Sequence, residues 1–140
     1  MAIRPFLDTA ARFLMAFFFI ASGAGKVFAF QPSAGILASI GFPNPQLFLI
    51  AMIVIEIGGG LGLLFGFGTR YVSVALIVFM ILATIVIHAP LISDPVSGPD
   101  QIIHIIKNIA IIGGLFKFVA DGGGAFSVDN RLLKRPIQSH

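Results

Sequence analysis

Four stretches of this chain, residues 6–30, 47–67, 71–89 and 102–120, are apolar almost throughout. Each is about the 20 residues that a helix rising 1.5 Å per residue needs to cross a hydrocarbon core about 30 Å thick. The fold class that follows is all-α, an integral membrane bundle of four helices forming a single transmembrane domain over residues 1–140. Composition agrees: 57% of the residues are hydrophobic and 11% charged, well outside the soluble globular range. Little of the chain is left for a separate soluble domain. Arg4 followed by an apolar run that ends in small residues also fits a secretory leader. The run is long and three more spans follow it, so it is read as a retained helix.

The chain has no cysteine, which excludes disulfides, thiolate catalysis, iron–sulfur ligation and dithiol redox chemistry within it. Its formal charge of +3 does not mark a nucleic-acid partner, because the placement of the basic residues explains it. An even number of spans puts both termini on one side, together with the turn Gly68-Thr69-Arg70. That side gathers Arg4, Arg70, Arg131, Lys134 and Arg135, with Arg12 and Lys117 near it. The opposite side has Lys26, and the loop over residues 90–101 holds Asp94 and Asp100 but no basic residue. The positive-inside rule then predicts cytoplasmic termini in a multi-pass protein of the bacterial inner membrane. The Gly-rich turn predicts a hairpin of the second and third spans. In the first outer loop, Ile36, Leu37 and Ile40 at helical spacing predict a short helix, lying either in the interface or against the bundle. Pro90, Pro95 and Pro99 predict an irregular second outer loop.

Lipid tails remove most of the hydrophobic drive for helix association, so small residues and polar contacts must hold the bundle. The second span offers Gly58, Gly62 and Gly66 at steps of four. The first offers Ala21, Gly25 and Ala29, and the fourth Ala110 and Gly114. These are read as contacts within the bundle, with a homo-oligomer through the glycine faces, or docking of other membrane subunits, as the alternatives. The lipid bilayer is the one partner the composition demands.

Ionisable residues inside the spans are the candidates for function. Glu56 falls near the midplane, where a free carboxylate costs from about 3 kcal/mol upward unless it pairs or reaches water. Depths counted along the helices put Glu56 at about 16 Å from the cytoplasmic side, Lys107 at about 19 Å and Arg12 at about 9 Å. Lys107 is therefore the expected partner of Glu56, with Arg12 within reach by snorkelling. His104, Lys107 and Asn108, at i, i+3 and i+4, share one helix face that must look inward. His88 and Lys26 near the outer ends of the third and first spans complete a polar set drawn from all four helices and opening outward. A network that only fixes helix register is the competing account. Metal ligation by His88, His104 and Glu56 is disfavoured by the offset of about 12 Å between Glu56 and His88, and no metal site is expected.

Arg12, the run Ser22-Gly23-Ala24-Gly25-Lys26, Gly41-Phe42-Pro43, Glu56 followed by glycines, Gly68-Thr69-Arg70, His88, Lys107-Asn108, Gly113-Gly114 and Ser127-Val128-Asp129 occur in an order that resembles the DoxX family of small bacterial four-helix membrane proteins. The resemblance runs from about residue 10 to residue 130. It implies a link to membrane sulfur oxidation, where a related subunit takes part in thiosulfate:quinone oxidoreduction, or to oxidative-stress and thiol-redox complexes. The absence of cysteine sets this chain apart from relatives that use cysteine pairs. The family's motif positions fall on Arg12, Lys26, Glu56, His88, Lys107 and Asn108.

Three functions compete on this evidence. The first is a subunit binding a quinone or another small amphipathic molecule non-covalently in the polar pocket and supporting a membrane redox reaction, part of an oxidoreductase if it is enzymatic at all. In it Glu56 relays protons, Lys107 tunes Glu56, and His88 or Asn108 bonds a quinone carbonyl. The second is a small-solute transport component. The third is an accessory or assembly subunit of a larger membrane complex.

Overall fold

The computed structural model describes residues 3–134. Arg135, grouped above with the basic residues of the termini, lies outside them. In chain order the elements are α1 (Ile3–Phe28), α2 (Phe30–Ser39), α3 (Pro45–Phe65), α4 (Thr69–Ala83), α5 (Gly98–Asp121) and α6 (Val128–Leu133). Helix α4 is prolonged by a π turn, Thr84–His88, and a 3₁₀ turn, Ala89–Leu91. No strand occurs among the described residues. Helices α1, α3, α5 and the composite Thr69–Leu91 are long and apolar enough to cross a bilayer.

The starts of α3 and α5 differ from the sequence expectation for one reason. Prolines were read as loop punctuation, yet Pro45 and Pro99 sit in the first turns of α3 and α5. A first-turn residue has no intrahelical partner for its N–H, so proline loses nothing there and its fixed φ suits the helix. Helix α5 therefore begins at Gly98 and includes Gln101. Pro90 likewise falls in the 3₁₀ turn that extends the third span, so the irregular outer loop shrinks to residues 92–97. There Asp94 Oδ1 accepts from the N–H groups of Val96 and Ser97. Those bonds hold its carboxyl below the usual range.

The long helices form a square in which α1 packs on α3, α3 on α4 and α4 on α5. Helices α1 and α5 meet at only a few points, and α3 and α5 stand diagonally. Glycine governs the closest approaches, and the steps of four account for part of them: Gly62 lies against Val72, Gly66 against Ser127 and Gly114 against Met15. A side chain on Gly60 would strike Ile20, and one on Gly23 would strike Ile57, which brings the α1 and α3 backbones together. Gly59 and Gly62 do the same for α3 against Leu76 and Val72 of α4. Gly25 and Gly58 face open space. The buried positions of α1 are Arg12, Ala16, Phe19 and Gly23, so its inward face is fixed by that series. Ala21, Gly25 and Ala29, offset by two residues or about 200°, point outward.

Of the two readings of the outer helix, burial is what the structure has. Ala34 and Leu37 of α2 are buried with Leu49 of α3, flanked by Met52 and Ile87. At mid-depth lies an apolar layer containing Ala16, Phe19, Leu63, Leu76, Ile77 and Leu115.

Beneath that layer, at the end that carries the termini, Arg12 is buried and donates only to main-chain carbonyls. Nη1 bonds Leu63 O at 2.7 Å and also Leu64 O, Nη2 bonds Phe126 O at 3.0 Å, and Nε bonds Gly123 O at 3.1 Å. The guanidinium thus meets the carbonyl end of α3, where the helix dipole favours a cation. Asp129 completes the latch by accepting from the N–H groups of Gly68 and Thr69 at 2.7 and 2.8 Å, the start of α4. Burial pushes the Asp129 carboxyl up. The two backbone donors and the charge of Arg12 outweigh it, holding the carboxyl below its ordinary range.

Candidate functional site

At the opposite end, where the two longer loops lie, polar side chains from all four long helices line a cavity of about 240 Å³. Its apolar walls include Phe79 and Ile87 from α4 and its extension, Leu37 from α2 and Met52 from α3.

Glu56 reaches the cavity from α3 and is 3% exposed. Its partner is Lys26, not Lys107. Lys26 Nζ lies 3.0 Å from Oε1 and 2.9 Å from Oε2, and Ser22 Oγ donates to Oε1 at 3.0 Å. Lys26 also donates to Ser22 Oγ at 3.0 Å, closing a three-member network on one turn of α1. The expectation failed because depth along the axis says nothing about which helices adjoin. Lys107 is on α5, diagonal to α3, whereas α1 packs directly on α3. A lysine side chain can also reach down the helix, so Lys26 serves a carboxylate deeper than its own Cα. Arg12 takes no part: it lies on the far side of the apolar layer, bonded to the carbonyls named above.

The other wall belongs to α5 and the π turn. Lys107 Nζ is 3.0 Å from His104 Nδ1 and 5.5 Å from the Phe18 ring centroid. The His104 and His88 rings stack with centroids 5.1 Å apart and planes 16° from parallel. His88 Nδ1 is 2.7 Å from Gln101 Oε1, and Asn108 Nδ2 donates to Thr84 Oγ1 at 3.0 Å. An ammonium has only donors, so His104 accepts through Nδ1 and carries its proton on Nε2. Donation from His88 Nδ1 to the Gln101 carbonyl leaves His88 Nε2 as an acceptor. The two imidazoles therefore present opposite hydrogen-bonding characters side by side. Parallel rings do not converge their nitrogens on one point, and no group of three or more potential metal ligands occurs among the described residues.

The π turn explains how α4 contributes. Thr84 Oγ1 donates back to Met80 O at 2.8 Å, and Pro90, six residues on, has no N–H to give, so the ordinary ladder widens between them. The widened turn sets Thr84 against Asn108 and His88 against His104. π turns are frequent at functional sites because they re-aim side chains in this way.

The structure thus brings together Glu56, Lys26, His88, His104, Lys107 and Asn108 and leaves Arg12 apart. Sequence reasoning passed over Ser22, Thr84 and Gln101. Gln101, His104 and Asn108 follow helical spacing, so an α5 begun at Gly98 exposes Gln101 as a member of the face. Ser22 stands four residues before Lys26, the spacing of a helix pair. Thr84 carried no such signal.

Comparison with known proteins agrees with this architecture. The sequence model of the DoxX family matches residues 7–89, which covers Arg12, Lys26, Glu56 and His88. Two proteins of Escherichia coli strain K12 are similar along nearly their whole lengths. Inner membrane protein YqjF is 34% identical over 125 residues, 89% of this chain and 91% of the relative. Inner membrane protein YphA is 34% identical over 132 residues, 93% of each. No solved structure matches.

Proposed function

This chain belongs to the DoxX family, and from that premise we propose that it is an inner-membrane subunit that binds a small amphipathic molecule in the loop-end cavity and supports a membrane redox process. A quinone head is the ligand class that the cavity suits best. The observation that carries the reading is the convergence of charged and amide groups from four helices on one small cavity within an apolar bundle. Ligand sites are built that way, as apolar walls with a few placed polar groups.

A quinone head needs donors for its carbonyl oxygens and flat apolar walls for its ring. His104 Nε2–H and the second N–H of Asn108 are donors of the right kind, and Phe79 and Ile87 supply walls. When bound, a quinone supplies a carrier of two electrons and two protons. Glu56, already held by Lys26 and Ser22, serves here to keep the Lys26 ammonium within the cavity, and Lys107 is not its partner. The basic residues Arg4, Arg70, Arg131 and Lys134 at the termini end support an orientation with cytoplasmic termini, so that the cavity opens outward.

A transport role draws no such support. Between the cavity and Arg12 lies the layer of Phe19, Leu76, Ile77 and Leu115, an apolar barrier to a solute or ion. Titration of the protein in zwitterionic nanodiscs with a short-chain quinone analogue tests the proposal. Saturable binding is expected, weakened about tenfold or more by Asn108→Leu or His104→Leu and unchanged by Gly68→Asn at the far end. Absence of binding, or binding indifferent to Asn108 and His104, refutes it.

A further inference from the structure

We infer that the cavity selects an amphiphile whose head carries one net negative charge, borne on oxygen and received by Lys107 where α1 and α5 part. The inference rests on the cavity being a ligand site, as proposed above, but not on the ligand being a quinone.

The argument begins with charge. Two ammonium groups and one carboxylate line the cavity, and Glu56 is committed to Lys26 through both of its oxygens. Lys107 is left with two neutral neighbours, an imidazole nitrogen and a phenyl face. A cation at that depth is expensive unless it is paired or hydrated. Its place in the bundle makes the imbalance sharper. Lys107 is exposed, and the α5 residues around it, Ile103, Ile106 and Ile109, are exposed apolar side chains facing lipid.

A second copy of this chain does not supply the missing charge. The chain has six acidic residues: Asp8, Asp121 and Asp129 belong to the termini end, and Asp94 and Asp100 to the outer loop and the first turn of α5. Asp100 stands seven residues, roughly 10 Å along the axis, above Lys107. Glu56 is the sixth, and it is taken. The counter-charge therefore comes from a different molecule, and one that resides in lipid.

The route is also set by the fold. Helices α1 and α5 meet at only a few points, and Phe18 and Lys107, which face each other across that seam, both line the cavity. An amphiphile entering sideways from the bilayer meets the Lys107 ammonium at the threshold, with its apolar chain still in lipid. An ammonium on oxygen anion contact in a partly desolvated site discriminates charge strongly, whereas an ester or ether of the same shape leaves the cation unpaired. A carboxylate, an acidic hydroxyquinone and a phospholipid phosphate all present this chemistry.

Matched acid and neutral pairs test it, with the protein in phosphatidylcholine nanodiscs. One pair is oleate and methyl oleate, and the other an alkyl 2-hydroxy-1,4-naphthoquinone and its 2-methoxy ether. Affinities are read by microscale thermophoresis, and a third arm compares lipid retained from phosphatidylglycerol and phosphatidylcholine discs by native mass spectrometry. In at least one arm the anion is expected to bind about tenfold more tightly than its neutral partner. Lys107→Gln should reduce that preference to about twofold, and Lys107→Arg should keep it. Whichever arm shows the preference identifies the source of the charge. Equal affinity within every pair, or a preference that survives Lys107→Gln, overturns the inference. If the hydroxyquinone and its ether bind alike, the quinone reading stands and this one falls. If oleate alone is selected and both quinones are rejected, this one stands and the quinone reading falls.

Discussion

Replacing Lys26 by methionine removes the only ammonium on the Glu56 carboxylate and is expected to destabilise the bundle far more than Lys107→Met. Glu56 is 3% exposed, and after the substitution only the Ser22 hydroxyl remains on it. A buried charge stripped of its partner costs about 3 to 5 kcal/mol, and the expected loss at pH 7 lies in that range. Lys107→Met breaks no ion pair and should cost less than about 1 kcal/mol. The double variant Lys26→Met with Glu56→Gln leaves no stranded charge and should recover most of the loss. Reversible unfolding in mixed micelles at pH 7, followed by far-UV circular dichroism, reads all three quantities. If Lys26→Met costs under 0.5 kcal/mol at pH 7, or Lys107→Met costs as much, the assignment of Lys26 as the partner of Glu56 is wrong.

Arg12→Lys keeps the charge but loses the planar fork, so about two of the four carbonyls now bonded lose their donor; a loss of about 2 to 4 kcal/mol is expected in the same unfolding assay. Gly66 has φ +67° and no room for a side chain beside Ser127, so Gly66→Ala should cost about 2 to 3 kcal/mol, whereas Gly68→Asn, at φ +58° with open space around it, should change stability by less than about 0.5 kcal/mol. Asp129 titrates below its unfolded value, so its stabilisation is fully present above about pH 4 and is lost as the pH falls through the lower folded value. Melting temperatures measured from pH 6 down to pH 2.5 should decline more steeply below pH 4 for the native chain than for Asp129→Asn, and identical slopes would contradict the latch.

What the sequence makes legible here is what one helix dictates by itself. Span lengths follow from a fixed rise and a fixed bilayer thickness, so the four stretches survive with every boundary shifted by one to four residues, in three cases because Pro45, Pro90 and Pro99 begin or continue a helix they were taken to end. The shared face of His104, Lys107 and Asn108 follows from the helical period in the same way. Pairings between helices are another matter. Depth made Lys107 the partner of Glu56, but adjacency decides, and nothing in the order of residues says that α3 and α5 stand diagonally. The Arg12 latch was illegible for a different reason. Its partners are carbonyl oxygens at Leu63, Leu64, Gly123 and Phe126, which every residue possesses and no residue name announces. The π turn at Thr84 needs both a back-bonding hydroxyl and a proline six residues later, a combination weaker than either helix signal around it.

The way the square is fastened bears on how a ligand would enter it. Helix α1 is tied to α3 at both ends, by Arg12 on the α3 carbonyls below and by Lys26 on Glu56 above, and glycines bring the two backbones together between. Helix α4 is tied to α5 by Asn108 on Thr84 and by the stacked His88 and His104, and to α3 by the hairpin turn that Asp129 caps. Three sides of the square carry such contacts along their length. The α1–α5 side carries them only toward the termini end, where Lys117 meets Asp8 at 3.5 Å, Arg4 meets Asp121 at 4.0 Å and Met15 packs on Gly114. Between α1 and α5 the principal contact at cavity depth is a lysine over a phenyl ring, a cation–π contact worth about 0.5 to 2 kcal/mol. Opening that seam at cavity depth costs least and breaks none of the hydrogen bonds described above. Because Lys107 and Phe18 form both the seam and a wall of the cavity, access and recognition fall to the same side chains. Substituting Phe18 by alanine should accordingly speed ligand exchange while leaving the charge preference set by Lys107 in place.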